Sequence, residues 1–360
     1  MVILILLLAL AALAAAVILF LRFSPSVGDV PDKEQQRSLS GRSVHYDGVA
    51  FRNENSVRTT TGEERRSGGR KTPKTVLPAQ EPSLLPEPGP EDLTFTWLGH
   101  SSFLLQIGGK TILADPVLSG RASPVSFVGP KRFSELPLTA EELPDIDVLF
   151  ISHDHYDHLD RKTVLTIKDR VGAFVVPLGL DAVLRGWGIP EEKIVSLDWW
   201  ESAGIGGVDI TLTPSQHFSG RNPLKRNRTL WGGMYISTGS YRVYYTGDGG
   251  YCGVFGEVRE RLGAPDLMIA ECGQYDPAWA QSHMFPEQTV QAGLDAGASR
   301  LIPVHWGAFC ICRHAWDDSI RRVTAAAESS GLPLATPGIG QTISFAQTAL
   351  CREAWWERYE

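Results

Sequence analysis

Three things are scarce in this chain, and each shortage excludes a class. Cysteine is the first: Cys252, Cys272, Cys310, Cys312 and Cys351 are the only five in 360 residues. An odd number without disulfide-framework spacing excludes a small stapled secreted scaffold and favours reduced thiols in a reducing compartment. Cys310-x-Cys312 supplies half of a zinc clip, and no second cysteine pair completes it. Positive charge is the second: a net charge of -7, with no basic stripe in the body of the chain, excludes a general nucleic-acid surface. The third is a basic segment ahead of the apolar N-terminus, where only the α-amino group is positive.

That last absence shapes the reading of Val2 to Leu21, an unbroken apolar run long enough to cross a bilayer as a helix. A secretory signal has a basic start and a shorter apolar core, so residues 1–22 read as a retained single-pass membrane anchor. Arg22, Lys33, Arg37 and Arg42 follow it, and the positive-inside rule then predicts a cytoplasmic catalytic body. Residues 23–90 turn to Ser, Gly, Arg, Glu and Pro, including the basic run Arg65 to Lys74, and read as a flexible linker. Within it, the aromatic segment from His45 to Asn55 is expected to pack on the catalytic domain. Residues 91–346 read as that domain, globular and rich in short strands. Residues 347–360 are a tail ending in CREAWWERYE, expected either to lie on a neighbour or a membrane surface or to fray.

Histidine, by contrast, is concentrated. Three of the nine histidines, with three aspartates, fall within the eight residues from His153 to Asp160. The run Ile146 to Ile151 before them is apolar and β-branched and reads as a buried strand, so the cluster emerges at a strand's end. His153 and His155, two apart in extended backbone, point the same way and can grip one ion. A turn at Asp157 and His158 can aim both at a second ion. Further single residues follow at predicted strand ends: His217 after Val208 to Pro214, Asp248 in a TGDGG turn after YRVYY, and His305 after Arg300 to Val304. His100, in the turn Gly99-His100-Ser101, is either a locally bonded turn residue or a contact to a ligand or substrate. Asp115 ends a strand and is expected to orient a metal-binding histidine. The long connection before the cluster places Phe127, Val128 and Phe133 beside Lys131 and Arg132. It suits an acidic amphiphile or a membrane face, with ordinary packing of the phenylalanines as the alternative.

The pattern His153-x-His155-x-Asp157-His158 resembles the signature of the metallo-β-lactamase-fold hydrolases. That resemblance implies an α/β fold, the αβ/βα four-layer sandwich of two mixed β-sheets flanked by helices. It implies a first ion on His153, His155 and His217, a second on Asp157, His158 and His305, and Asp248 bridging them with one oxygen to each. Imidazole and carboxylate without thiolate suit two zinc ions, with manganese or iron as alternatives. A histidine at position 155, where the diiron branch has an acidic residue, favours zinc. Two such cations share a hydroxide near neutral pH and polarise the electrophile, a chemistry that serves phosphodiesters, thioesters and lactones alike.

More narrowly, Trp97 to Ser101, HDHYDHLD, TPSQHFSGR, Thr229 to Gly232, TGDGG, PVHWG and AFCICRHAW resemble the N-acyl-phosphatidylethanolamine-hydrolysing phospholipase D branch and its bacterial relatives. The branch implies a catalytic set of Asp157, Asp248 and His283. His283, in HMFPEQTV, is implied as an active-site acid or phosphate contact, against a helix-capping role. One departure stands out: Ala278 occupies the place of the branch's arginine. The expected activity is a zinc-dependent phosphodiesterase acting on a lipid, with hydrolysis of a small soluble ester, such as a sugar-phosphate lactone, as the alternative. Expected partners are that lipid or ester and the membrane through the N-terminal helix, with no nucleic acid and homo-oligomerisation left open.

Overall fold

The computed structural model describes residues 1–54, 68–346 and 351–359. The apolar run forms helix α1 (Val2–Phe23), with no buried residue and with the length and hydropathy to cross a membrane. It is followed by α2 (Lys33–Arg42), whose start is fixed by Asp32: its Oδ1 accepts from the backbone N–H groups of Glu34 and Gln35, and Gln35 Oε1 accepts from Asp32 N–H. Packing in residues 23–90 includes the segment expected to dock, from His45, at Tyr46 and Phe51, and extends beyond it to Val27, Leu39 and Leu77. Val27, Leu39, Tyr46, Phe51 and Leu77 are buried, and Tyr46 packs against Phe51 at 4.9 Å. These apolar residues are too sparse to give a periodic signal, yet each has a seat on the body of the molecule. The start of the basic run at Arg65 falls in 55–67, outside the described residues.

Strands β1 (Leu93–Gly99), β2 (Ser102–Ile107) and β3 (Lys110–Ala114) form an antiparallel meander. The turn between β2 and β3 is Gly108-Gly109, with φ of 59° and 77°, values a side chain disfavours. Strands β4 (Ile146–Phe150), β5 (Val171–Pro177) and β6 (Ile194–Leu197) then add in parallel, through crossover helices α3 (Arg161–Ile167) and α4 (Leu180–Gly186). The second sheet opens with β7 (Ser202–Ile205), β8 (Val208–Thr213), β9 (Gly233–Ser237) and β10 (Arg242–Tyr245), all antiparallel. It continues in parallel through α5 (Val254–Leu262), β11 (Leu267–Glu271), α6 (Pro286–Asp295) and β12 (Leu301–Val304). After α7 (Asp318–Ser330), β13 (Thr342–Ser344) returns to pair with β1. The sheets run β13-β1-β2-β3-β4-β5-β6 and β12-β11-β10-β9-β8-β7. This is the expected sandwich of two mixed sheets flanked by helices.

Period-two alternation sorts the side chains between layers. Val148 and Phe150 of β4 enter the core between the sheets, with Phe95, Phe103, Ile210, Met234 and Ile269, while Leu149 and Ile151 pack outward with Val164, Ile167 and Val183 of α3 and α4. Burying each such side chain stabilises the fold by about 1.5–3 kcal/mol. The described part of the tail, residues 351–359, is docked on the body. Trp355 and Trp356 are buried in a short 3₁₀ turn, Trp355 stacks on Trp306 at 5.6 Å, and its indole donates to Pro337 O. Residues 347–350 and Glu360 lie outside the described residues. In the long connection Phe133 is buried against Trp316, whereas Phe127 is 79% exposed.

Candidate metal centre

The site lies along one edge of the sandwich, where strands end. β4 leads into His153, His155, Asp157 and His158; β8 leads to His217, β10 to Asp248, and β12 to His305. The backbone is bent sharply there. His100, Asp115 and His305 are three of the five non-glycine residues with positive φ among the described residues, at 54°, 42° and 69°, conformations that persist only where surroundings hold them. His100 and His305 hold each other: His305 N–H donates to His100 O, and His100 N–H to Trp306 O, both at 2.9 Å. A glycine precedes Asp248 because a Cβ on Gly247, at φ +60°, would lie 2.5 Å from Gly232 O.

All seven side chains expected as ligands converge. His153 Nε2 is 2.9 Å from His155 Nδ1, and His217 Nε2 is 3.3 Å from the same atom. Asp248 Oδ2 lies 3.0 Å from His158 Nε2, 3.3 Å from His305 Nε2 and 3.9 Å from both His153 Nε2 and His217 Nε2. Asp157 Oδ2 is 3.7 Å from His158 Nε2. The expectation for Asp248 was one oxygen per ion; here Oδ2 alone faces four imidazoles, and Oδ1 is buried without a hydrogen-bond partner.

The donor set fits divalent ions. Donor atoms about 2.0–2.1 Å from a tetrahedral ion are roughly 3–3.5 Å apart, the spacing seen between these nitrogens. His305 Nε2 and Asp248 Oδ1 are buried without a hydrogen-bond partner among the described residues, a cost that bound cations would relieve. In four of these rings the inward nitrogen is backed by a bond on the other side. His158 Nδ1 donates to Asp115 Oδ2 at 2.7 Å, His217 Nδ1 to Ser282 O at 2.9 Å, and His153 Nδ1 and His305 Nδ1 bond Ser152 Oγ and Ser101 Oγ, both at 2.9 Å. In His153, His217 and His305 these bonds assign the ring proton to Nδ1 and leave the Nε2 lone pair facing inward; His158 offers its Nε2 lone pair only once the proton there has left.

Asp115 is thus the hub behind the site, accepting also from Ser152 N–H, Ser152 Oγ and Tyr245 Oη. His100 is more than a turn residue: buried, it donates from Nε2 to Asp157 Oδ2 at 3.1 Å. His283 does not cap α6, whose first turn follows Phe285; its ring stacks on His305 at 5.4 Å and 8°. Glu271, the last residue of β11, went unread in the sequence. It is fully buried, accepts from Met284 N–H at 2.7 Å, and lies 3.6 Å from His283 Nδ1. The signal available for it was a carboxylate ending an otherwise apolar strand.

Electrostatics divides the histidines. Burial drives His153, His217 and His305 well below the usual imidazole range, so they are neutral and ready to ligate. His158 is also buried, but the carboxylates of Asp248, Asp157 and Asp115 outweigh that and hold it well above the range. Burial opposes ionisation of Asp157 and Asp248, and the adjacent imidazoles nevertheless hold both below the usual carboxylate range. Burial raises Glu271, while Glu271 raises His283 against its own burial.

Residues 110–306 match the family described as the Beta-lactamase superfamily domain. The chain belongs to the metallo-β-lactamase superfamily. It is a metal-dependent hydrolase of that superfamily, and the histidine and aspartate clusters are compatible with the divalent ions the fold implies. The chain is 39% identical over 328 residues to an uncharacterized protein of Mycobacterium tuberculosis (strain ATCC 25618 / H37Rv), covering 87% of each. It is 37% identical over 227 residues to N-acyl-phosphatidylethanolamine-hydrolyzing phospholipase D 1 of Caenorhabditis elegans, covering 59% of this chain and 64% of that one. Among solved structures, isothiocyanate hydrolase from Delia radicum gut bacteria shares the superfamily fold, with a TM-score of 0.55 and 19% identity over 70% of this chain and 99% of that one.

Proposed function

We propose that this superfamily member is a zinc-dependent, dinuclear phosphodiesterase of the phospholipase D type, acting on N-acyl phosphatidylethanolamine or a related lipid at a membrane that α1 enters. The observation that carries the dinuclear reading is Asp248 Oδ2, within 3.9 Å of the Nε2 atoms of His153, His217, His158 and His305, more donors than one ion needs beside His155 and Asp157. The likeness to the nematode phospholipase D and the fully exposed apolar α1 support the lipid. His153, His155 and His217 would hold one ion, Asp157, His158 and His305 the other, with Asp248 shared. When bound, the ions supply an activated water and positive charge beside the phosphate.

The rest of the chemistry belongs to the chain. Asp115, Ser101 and Ser282 fix the imidazole orientations, so no reorganisation is needed as charge builds up. His283 sits on the accessible side of the cluster, with 14% of its side chain exposed and Glu271 behind it. Hydroxide, left when water gives its proton to solvent, attacks phosphorus as the P–O bond to the N-acylethanolamine breaks; the departing alkoxide takes its proton from His283, which Glu271 keeps charged and which is reprotonated from solvent. A soluble-ester reading is favoured by one observation: Ala278 stands where a guanidinium would engage a headgroup.

The test is product analysis after incubating zinc-loaded full-length protein with N-acyl phosphatidylethanolamine in mixed micelles and, separately, with bis(p-nitrophenyl) phosphate. Phosphatidic acid and N-acylethanolamine, absent with Asp248→Ala, are the expected result. Cleavage of the simple diester without lipid turnover would move the assignment to soluble esters.

A further inference from the structure

The foot of α1 is bonded to the body. Asn222 Nδ2 donates to Leu21 O at 3.0 Å, Trp187 Nε1 to Pro25 O at 2.7 Å, and Arg221 Nη2 to Ser26 O at 2.8 Å. With α1 in a bilayer, these bonds set which face of the catalytic body meets the membrane surface. On that face opens a cavity of about 780 Å³, in the range that holds a small-molecule ligand. Ser26 lies on one wall and the connection from Gly120 to Ser126 on the other, and none of the metal-facing histidines lines it.

The cavity's charge is opposite to that of the molecule. Arg121, Lys131, Arg161, Lys162 and Arg221 line it against the single acid Asp160, a net of +4 in a chain of net -7. Lys131, Arg161 and Lys162 have no acidic partner among the described residues, and Arg161 Nε is buried without a hydrogen bond. Asp160 is already engaged, accepting from Thr163 Oγ1 and from Ser119 N–H. Beside the cavity an apolar tip projects: Phe127 is 79% and Val128 58% exposed. The tip is braced, because Arg121 donates to the carbonyls of Ser126 and Gly129 on either side of it. Leu224, two residues past the Asn222 that grips α1, is 76% exposed. Cations around a cavity with aromatic and aliphatic side chains projecting next to it are what an anionic interface selects.

We propose that this cavity binds the headgroup of an anionic phospholipid in the leaflet that α1 enters, with Phe127 and Val128 inserted beside it. The headgroup phosphate lies among Lys131, Arg161 and Lys162, and the lipid's chains run alongside the anchor. The site is separate from the hydrolytic centre and holds a lipid that is not the substrate. It shares the loop from Tyr156 to Asp160 with that centre, so occupancy also orients the centre toward the bilayer. This inference rests on the anchor reading of α1 and not on any turnover.

The full-length protein is reconstituted into nanodiscs of phosphatidylcholine with and without phosphatidylglycerol, extracted in mild detergent, and its retained lipids counted by native mass spectrometry. Wild type is expected to retain phosphatidylglycerol over phosphatidylcholine by about tenfold or more, and Lys131→Glu/Lys162→Glu to lose that preference. The milder Lys131→Gln/Lys162→Gln pair should lose most of it, guarding against misfolding by charge reversal, and Arg259→Glu on α5 should keep it. Equal retention of both lipids, failure of the chain to enter nanodiscs, or loss of the preference with Arg259→Glu would overturn the proposal. So would displacement of the lipid by millimolar inorganic phosphate, which would identify a soluble phosphate ligand instead. Lipid retention without diester cleavage would leave the site standing and remove the phospholipase reading.

Discussion

At the residue scale the chemistry turns on groups that touch no metal themselves. Asp115 Oδ2 accepts from His158, Ser152 and Tyr245 at 2.6–2.7 Å, so Asp115→Asn removes the charge that fixes His158 and forces a donor into a set of donors. The expected loss in metal affinity is about 10–100-fold, measured by competition with a chromophoric chelator; unchanged affinity would show that His158 is held by packing alone. Glu271→Gln should instead keep metal content and lower kcat on a lipid diester by about 10–100-fold, because His283 loses the charge that keeps it protonated. Titration separates the histidines as well. His158 is held charged in the metal-free protein while His153, His217 and His305 are held neutral. Metal binding at pH 7 should therefore release the His158 proton in addition to any from a metal-bound water, read by calorimetry in two buffers of different ionisation enthalpy. Because the proton must leave before the ion binds, affinity rises with pH until His158 has passed its own pKa, and flattens above it. The seven metal-facing residues were legible in sequence because each sits at a strand end within a recognisable motif. Glu271, Tyr245 and Ser101 were not, because each acts through contacts to residues distant in the chain, and Ser152 was not, because its hydroxyl matters only through the Asp115 it meets 37 residues away.

At the scale of elements, apolar runs ending in clear turns made β4, β8, β10 and β12 readable. β6 and β7 were missed, since β6 is only partly buried and β7 alternates exposed and half-buried positions. Helix α2 escaped because its sequence, KEQQRSLSGR, has one buried residue, Leu39, and starts on a capping box instead of an apolar stripe. The tail was ambiguous for the opposite reason: two adjacent tryptophans fit a surface as well as a core. Its docking ties the C-terminus to the site, since Trp355 stacks on Trp306, the residue after His305, and lies 6.4 Å from Trp97 of β1. Trp355→Ala should cost about 3–5 kcal/mol in unfolding free energy, measured by urea titration followed by circular dichroism. A loss below about 1 kcal/mol, the level of most surface substitutions, would mean the tail is dispensable.

At the scale of the whole molecule, the sandwich brings strand ends from both sheets to one edge, and so gathers residues from His100 to His305 around a single carboxylate. The same architecture leaves α1 outside the packed body, tethered at its foot by Asn222, Trp187 and Arg221. Hydrolysis and the proposed membrane attachment are thus assigned to separate parts that meet at the loop after β4. The proposed chemistry depends above all on two ions sharing Asp248. Anomalous scattering at the zinc edge, from crystals of the zinc-loaded protein, tests this most directly. Two peaks about 3.5–4 Å apart, one among His153, His155 and His217 and the other among Asp157, His158 and His305, are predicted. A single peak, or a pair lying away from Asp248, would contradict a dinuclear centre.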